Sequence, residues 1–146
     1  MSKKTSTAPL LTMRNVHIKG LSDEQWLDII NGVGLDLNRG EVLGLIGESG
    51  AGKSTLGLAA MGFCRDGCKI TDGAIAFDGL DLLNQNRQQL RRIRGRRIAY
   101  VAQSAAASFN PAHRLIDQFC EAPLKHAVMG RPEAENYATS LYERMN

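Results

Sequence analysis

Nine residues in the first half of the chain have the types and spacing of a phosphate-binding loop. They read GESGAGKST, run from Gly47 to Thr55, and match the pattern G-x-x-x-x-G-K-[ST] at Gly47, Gly52, Lys53 and Ser54. Such a loop normally joins a buried strand to a helix, and its successive backbone N–H groups surround phosphate oxygens. The pattern therefore predicts a site for the phosphate groups of a nucleotide.

Each residue type in the loop has a chemical reason to be there. Glycine can adopt positive φ and lets a phosphate approach the backbone, which fits Gly50 and its neighbours. The ammonium of Lys53 can reach the β- and γ-phosphates, the Ser54 hydroxyl can bind Mg²⁺, and Thr55 would lie near the α-phosphate. The predicted nucleotide-binding residues are Gly47, Glu48, Ser49, Gly50, Ala51, Gly52, Lys53, Ser54 and Thr55.

The residues on either side of the loop predict the elements that position it. Residues 41–46, EVLGLI, form a continuous apolar run between two glycines, which is typical of a strand buried on both faces in a parallel sheet. Residues 53–63 are long enough for a helix and apolar on nearly every side, so they predict a buried helix.

The rest of the chain alternates between strand and helix patterns. Apolar alternation predicts strands at 10–19 and 26–38, paired antiparallel across a turn within 20–24, and further strands at 73–79 and 97–103. A short helix is expected at 86–95, ended by Gly95, and another over 115–129 that Pro123 bends or breaks. A last helix has Pro132 in its first turn and one face made of Ala134, Tyr137, Ala138, Leu141 and Met145.

Composition bounds the class of protein. The chain has 146 residues, of which 43% are apolar and 23% charged, enough to fill one domain core. No apolar stretch approaches the length that crosses a bilayer, and the start lacks a secretory signal, so a cytosolic location is expected. The cysteines Cys64, Cys68 and Cys120 favour small apolar core residues over a zinc site or a disulfide.

Three stretches together resemble the ATPase subunits of ABC transporters. They are INGVGLDLNRGEVLGLIGESGAGKSTL at 30–56, DGAIAFDGLDLL at 72–83 and LRRIRGRRIAYVAQSAAASFNP at 90–111. Within that family, Glu48, the LRRIRG segment and SFNP look most like the dipeptide, oligopeptide and nickel importer group. Relatives usually carry Asp-Pro just after the loop glutamine, whereas this chain reads SAAAS at 104–108, so the cargo stays open.

The resemblance implies a fold class. That class is α/β, a P-loop NTPase core of the ABC ATPase type, truncated, with an N-terminal antiparallel β-subdomain and the start of a helical subdomain. It divides the chain into a flexible N-terminus (1–8), a nucleotide-binding core (9–112) and the beginning of the helical subdomain (113–146).

The resemblance also implies functional roles. Gln103 would contact Mg²⁺ and the attacking water, which makes Lys53 and Gln103 the expected catalytic residues and Ser54 and Gln103 the metal contacts. An aromatic ring that stacks on adenine is expected before the loop. Gly20 occupies the usual position, and Trp26 is the candidate substitute, with an ordinary core or surface tryptophan as the alternative. The expected ligands are ATP and Mg²⁺, and the expected partners are transmembrane permease subunits and a second ATPase subunit, without nucleic acid. The location would be cytoplasmic, peripheral on the inner face of the cell membrane.

Several parts of the family pattern are not found in these 146 residues. There is no LSGGQ-like segment, no apolar strand ending in Asp-Glu and no later switch histidine. The expectation is therefore an N-terminal part of a longer ATPase, which binds ATP without efficient hydrolysis and whose bare sheet edge makes it poorly stable or prone to aggregate.

Two other functions remain open from the sequence. A different P-loop enzyme, such as a small-molecule kinase, would use the same loop, although no lid-like arginine set follows it. A nucleic-acid-binding module could use the arginines at 87, 91, 92, 94, 96 and 97. Leu90 and Ile93 interrupt that run at helical spacing, which favours the solvated face of a helix instead.

Overall fold

The computed structural model describes residues 8–104 and 108–145. The chain divides into two compact units, Met1–Leu90 and Arg91–Asn146. The predicted flexible N-terminus lies outside the described residues except for Ala8, and the division into a core and a helical subdomain at residue 112 stays a prediction.

The first unit contains a four-stranded antiparallel sheet. Its strands are β1 (Leu11–Ser22), β2 (Gln25–Leu37), β3 (Cys68–Phe77) and β4 (Leu80–Asp81), in the spatial order β2-β1-β3-β4. The β1–β2 register runs from Leu11 opposite Leu37 to Ser22 opposite Gln25. Asp23 and Glu24 form the connection, and both have positive φ. The predicted antiparallel hairpin is confirmed.

An irregularity in β1 keeps its apolar side chains on the buried face. Leu11 and Met13 are buried at odd positions, whereas Val16 and Ile18 are buried at even positions. Between them Asn15 has a φ of 47°, and the register with β2 shifts between Met13 and Val16. An extra residue in a strand changes the phase of its alternation, so this bulge returns the second half of β1 to the core.

Helix α1 (Lys53–Ala59) is shorter than the predicted 53–63 because Gly62 ends it. Gly62 has a φ of 67°, its N–H donates to Ala59 O at 2.7 Å, and the Phe63 N–H donates to Leu58 O at 3.2 Å. This pair of bonds is the Schellman arrangement, which glycine favours because it has no Cβ.

The predicted buried strand at 41–46 and the predicted strand at 97–103 are wrong. Residues 41–46 form no strand, and Val42 and Ile46 are 95% and 100% exposed. In the second segment the only described pairing is an isolated bridge between Arg94 and Ile98, and Val101 is 90% exposed. A parallel strand makes its backbone hydrogen bonds only with neighbours, and among the described residues none pairs with 41–46. The apolar sequence alone does not make the strand.

Helix α2 (Arg87–Ile93) confirms the helix predicted at 86–95. Its start is a reciprocal cap: the Gln89 N–H donates to Asn86 Oδ1 and the Asn86 N–H donates to Gln89 Oε1, both at 2.9 Å. Ile93 is buried, and Gly95 follows with a φ of 81°. Asn-x-x-Gln thus sets the beginning of the helix and glycine its end.

The second unit contains α3 (Leu115–Lys125) and α4 (Arg131–Glu143), which pack together. Helix α3 ends two residues after Pro123, earlier than the predicted 129. Arg131 at the start of α4 pairs with Glu135 and with Asp117 of α3, and its hydrogen bond lowers the pKa of the Asp117 carboxyl. On the predicted apolar face of α4, Ala134 and Ala138 are buried.

The rest of that face is more open. Tyr137 and Met145 are exposed and Leu141 is half-buried, and the Tyr137 ring lies 6.4 Å from the ring of Phe119 on α3. The apolar side of α4 is therefore only partly covered. None of the described helices is both long enough and apolar enough to cross a bilayer.

The cysteines are free thiols with different surroundings. Cys120 is buried in α3, as expected for a small apolar core residue, whereas Cys64 and Cys68 are half-buried. Burial raises the pKa of the Cys64 thiol, and the nearby Cys68 adds to the effect. The described residues contain no group of three or more His, Cys, Asp or Glu side chains that could hold a metal ion.

Candidate functional site

The loop at 47–55 has the backbone shape that its glycines predict. Gly50 and Gly52 have φ values of 86° and 81°, in the left-handed region that favours glycine, whereas Gly47, at 159°, is close to extended. Residues 47 to 51 are all exposed. The loop therefore turns tightly and presents its backbone to solvent.

Gly52 is held against the sheet of the first unit. A Cβ at this position would lie 2.7 Å from Ile30 Cδ1 and 3.3 Å from Ile29 O. These two β2 residues fix the place of the loop, and sequence reasoning did not assign them that role. The sequence signal that could have found them is the strand predicted at 26–38, because the chain continues from it through Gly40 to the loop.

The N-terminus of α1 offers unpaired N–H groups next to this turn. The first helical hydrogen bond runs from the Leu56 N–H to Gly52 O at 2.8 Å, so Lys53, Ser54 and Thr55 have no acceptor within the helix. No side chain caps the helix, and its first turn contains no acidic residue. An anion supplied from outside would satisfy these donors and interact favourably with the helix dipole.

The Lys53 ammonium points back into the loop. Its Nζ donates to Gly47 O at 2.7 Å and to Glu48 O at 2.6 Å. Because both acceptors are loop carbonyls, the cation lies inside the curve where phosphate oxygens would be bound. A phosphate could replace these carbonyls as the acceptor. The hydrogen bond would then be stronger, because the acceptor as well as the donor would be charged.

The hydroxyl groups at the start of α1 are available to a ligand. Ser54 is exposed and Thr55 half-buried, and neither side chain makes a hydrogen bond with any other described residue. Mg²⁺ often keeps several waters and binds through phosphate oxygens plus one or two protein oxygens. The donor set of the loop therefore fits Mg²⁺ brought by a nucleotide better than a metal held by protein alone.

A small cavity lies next to the loop. Its volume is about 140 Å³, and its lining combines Ala51, Gly52 and Lys53 with the apolar residues Ile30, Val33, Leu45, Ile46 and Leu56. The apolar part of this lining would not stabilise a phosphate, because burying a charge without partners is costly. Phosphates would therefore bind to the exposed loop backbone and the Lys53 ammonium.

Trp26, the predicted adenine contact, lies at the start of β2 and is 40% exposed. The Lys69 ammonium lies 3.8 Å from its ring centroid, a cation–π contact that occupies one face of the indole. Trp26 precedes Ile30 by four residues, or about 13 Å of strand. At Gly20, a Cβ would lie 2.5 Å from Ile29 Cδ1, so Ile29 fills that space. The role of Trp26 stays a prediction.

Gln103 is exposed and lies in the second unit, between α2 and α3. It was predicted to stand at the end of a strand over 97–103, and that strand is not formed. The residues that follow directly, 105–107 of the SAAAS segment, are outside the described part of the chain. Its contact with Mg²⁺ and water stays a prediction.

The comparison with known protein families decides which family the chain belongs to. Residues 30–146 match the model of the ABC transporter family, which covers the loop and everything after it. The chain belongs to the ABC transporter family. This confirms the resemblance drawn from the three sequence stretches, and it gives no support to a small-molecule kinase or a nucleic-acid-binding module.

Curated relatives within the ABC transporter family are named for peptide transport. The probable D,D-dipeptide transport ATP-binding protein DdpD of Escherichia coli K12 is 34% identical over 140 residues, which is 95% of this chain and 43% of the relative. The dipeptide transport ATP-binding protein DppD of Bacillus subtilis is 32% identical over 133 residues, or 90% and 40%. The chain spans less than half the length of these relatives.

A solved ABC structure confirms the fold class. The ATP-binding cassette MJ0796, in a dimeric post-hydrolysis state bound to ADP and Pi, aligns with a TM-score of 0.69 at 20% identity. The alignment covers 89% of this chain and 54% of that one. The predicted α/β core of the ABC ATPase type, with its antiparallel β-subdomain, is therefore correct even though two of its strands are not formed.

Proposed function

We propose that the chain binds ATP together with Mg²⁺ in the loop at 47–55, as the nucleotide-binding part of an ABC importer ATPase. The observation that carries this proposal is the Lys53 ammonium, held by Gly47 O and Glu48 O inside a glycine turn next to unpaired helix N–H groups. In this arrangement Lys53 would neutralise the β- and γ-phosphates and the Ser54 hydroxyl would bind Mg²⁺.

The proposed cargo is a peptide. The support comes from the relatives, whose names describe dipeptide and peptide transport ATP-binding proteins. The whole protein would act at the inner face of the cell membrane with transmembrane permease subunits and a second ATPase subunit. ATP binding and hydrolysis would there be coupled to uptake, with Gln103 as the contact to Mg²⁺ and the attacking water.

Uptake of a labelled dipeptide tests this function. Cells in which the gene is deleted should take up less dipeptide, and a plasmid copy should restore uptake. A copy with Lys53→Ala should not restore uptake, because the phosphate-binding cation is gone. A copy with Lys125→Ala should restore uptake, because Lys125 forms only a surface pair with Glu121. Unchanged dipeptide uptake in the deleted strain would rule out the proposed cargo.

A further inference from the structure

Three arginines at the end of α2 form an exposed patch of positive charge. Arg91 and Arg92 are exposed in the last turn of the helix, which also contains the buried Ile93, and the exposed Arg96 follows the Gly95 turn. The Arg96 N–H donates to Ile93 O at 3.2 Å, which keeps Arg96 within one turn of the helix end. We call Arg91, Arg92 and Arg96 the arginine patch. All three belong to the second unit.

The arginine patch lacks ionic partners in the part of the chain that the structure describes. None of its three side chains forms an ion pair or a side-chain hydrogen bond with another described residue. By contrast, Arg14, Lys19, Lys125 and Arg131 each pair with a carboxylate. Three exposed arginines close together in sequence, with no carboxylate partner among the described residues, raise the local positive potential and favour an anionic partner.

Capping of α2 does not explain the arginine patch. Cations near a helix C-terminus can hydrogen-bond its last carbonyls. Here Ile93 O already accepts backbone bonds from Arg96, Arg97 and Ile98 at 3.2, 2.8 and 3.2 Å. The patch side chains are therefore free to reach groups outside the chain.

We infer that the arginine patch binds the anionic phospholipid headgroups of a membrane surface. A bilayer surface that contains anionic lipids presents many negative phosphates in one plane and attracts clustered basic side chains. Single-stranded nucleic acid fits less well, since Tyr100 is the one aromatic residue within 84–104, and successive bases would need several rings on which to stack. A duplex fits less well too, because three phosphate contacts support only weak binding and α2, with 7 residues, is about 10 Å long.

Sedimentation with lipid vesicles tests this inference. The whole chain is mixed with vesicles of phosphatidylcholine alone or with phosphatidylglycerol added. Binding should favour the anionic vesicles and weaken as salt rises. The triple variant Arg91→Gln, Arg92→Gln, Arg96→Gln should bind the anionic vesicles roughly 100-fold more weakly, since each basic residue near such a surface contributes about a fivefold effect.

Two matched variants separate the patch from net charge and from folding. Arg14→Gln, Lys19→Gln, Lys125→Gln removes the same three charges from other places and should lower vesicle binding far less. Arg91→Lys, Arg92→Lys, Arg96→Lys keeps the charge and should keep most of the binding. Equal losses in both triple Gln variants, or loss of binding in the Lys variant, would overturn the inference.

The remaining outcomes are also decisive. Equal binding of the unaltered chain to neutral and anionic vesicles would overturn the inference, because exposed apolar residues such as Val42 would then explain it. The unaltered chain could instead bind duplex DNA more tightly than vesicles at the same salt concentration, with the triple Gln variant losing that binding. This result would show that the partner of the arginine patch is nucleic acid and would overturn the inference. The inference does not depend on the nucleotide site: the Lys53→Ala variant should keep its vesicle binding, and the triple Gln variant should keep its ATP affinity.

Discussion

Replacing Gly73 with alanine is expected to separate β1 from β3 and unfold the sheet of the first unit. Gly73 lies opposite the bulge of β1, where its φ is 101°. A Cβ there would lie 2.5 Å from Asn15 O, 2.7 Å from Arg14 O and 2.7 Å from the Val16 Cα. All three are backbone atoms, so no side-chain rotation can relieve the overlap.

The expected cost of this change exceeds that of an ordinary strained residue. A non-glycine residue at positive φ costs about 1–2 kcal/mol, and displacing β1 would in addition expose the fully buried Met13, Val16 and Ile75. Burying each such side chain contributes about 1.5–3 kcal/mol. The total loss should therefore exceed about 3 kcal/mol, which is enough to unfold many small domains.

Amide hydrogen exchange in β1 and β3 measures this effect, because exchange reports the stability of this sheet directly. The matched control is Gly79→Ala, since Gly79 has a φ of 78° but no atom within 4 Å of its Cβ position. Gly73→Ala should abolish the protection of the β1 and β3 amides, and Gly79→Ala should only reduce it. Similar protection in the two variants would show that the close approach at Gly73 is not what holds the strands in register.

Replacing Lys53 with alanine is expected to lower the affinity for ATP by about 100-fold, or about 2.7 kcal/mol. A charged hydrogen bond contributes about 1.5–3 kcal/mol, and the Lys53 ammonium would bridge two phosphates. The loss should depend on phosphate number. AMP has neither a β- nor a γ-phosphate, so its affinity should change little.

Equilibrium titration with ATP, ADP and AMP in the presence of Mg²⁺ separates these effects. Lys125→Ala removes a cation of the same type at the surface of α3 and should leave all three affinities unchanged. If Lys53→Ala lowered the affinity for AMP as much as the affinity for ATP, Lys53 would act mainly by holding the loop carbonyls of Gly47 and Glu48. Its proposed role as a phosphate ligand would then be wrong.

The loop and the hairpin could be predicted because their information is local. The turn at Gly50 and Gly52, the helix that begins at Lys53 and the antiparallel pairing of β1 with β2 depend on residues close together in sequence. The end of α1 near Gly62 also had a local signal, since a glycine often follows the end of a helix. The apolar residues around Gly62 nevertheless led to the prediction of a longer helix.

The strands at 41–46 and 97–103 could not be predicted reliably because a parallel strand is defined by its partners. The apolar run from Val42 to Ile46 satisfies the composition of a buried strand, yet none of the described residues pairs with it. The second half of β3 confirms the strand predicted at 73–79, but its first half was missed for a related reason. Its first residues, from Cys68, are in a strand because they pair with β1 at Gly20, and local composition contains no sign of that pairing.

Contacts between distant side chains were equally hidden. Nothing in the sequence indicates that the Lys69 ammonium covers the Trp26 ring, or that Ile29 and Ile30 hold Gly52 in place. Both depend on the relative positions of elements far apart along the chain. The residue types of the phosphate site were therefore predictable, while the supports that position them were visible only in the structure.

The central claim, that ATP with Mg²⁺ binds in the loop at 47–55, is tested most directly by hydrogen exchange measured residue by residue with and without the nucleotide. ATP with Mg²⁺ should slow the exchange of the Gly52 to Thr55 amides, because those N–H groups would donate to phosphate oxygens, while exchange in the arginine patch stays unchanged. Unaltered exchange at Gly52 to Thr55 under saturating ATP and Mg²⁺, or slowing confined to another part of the chain, would contradict the claim.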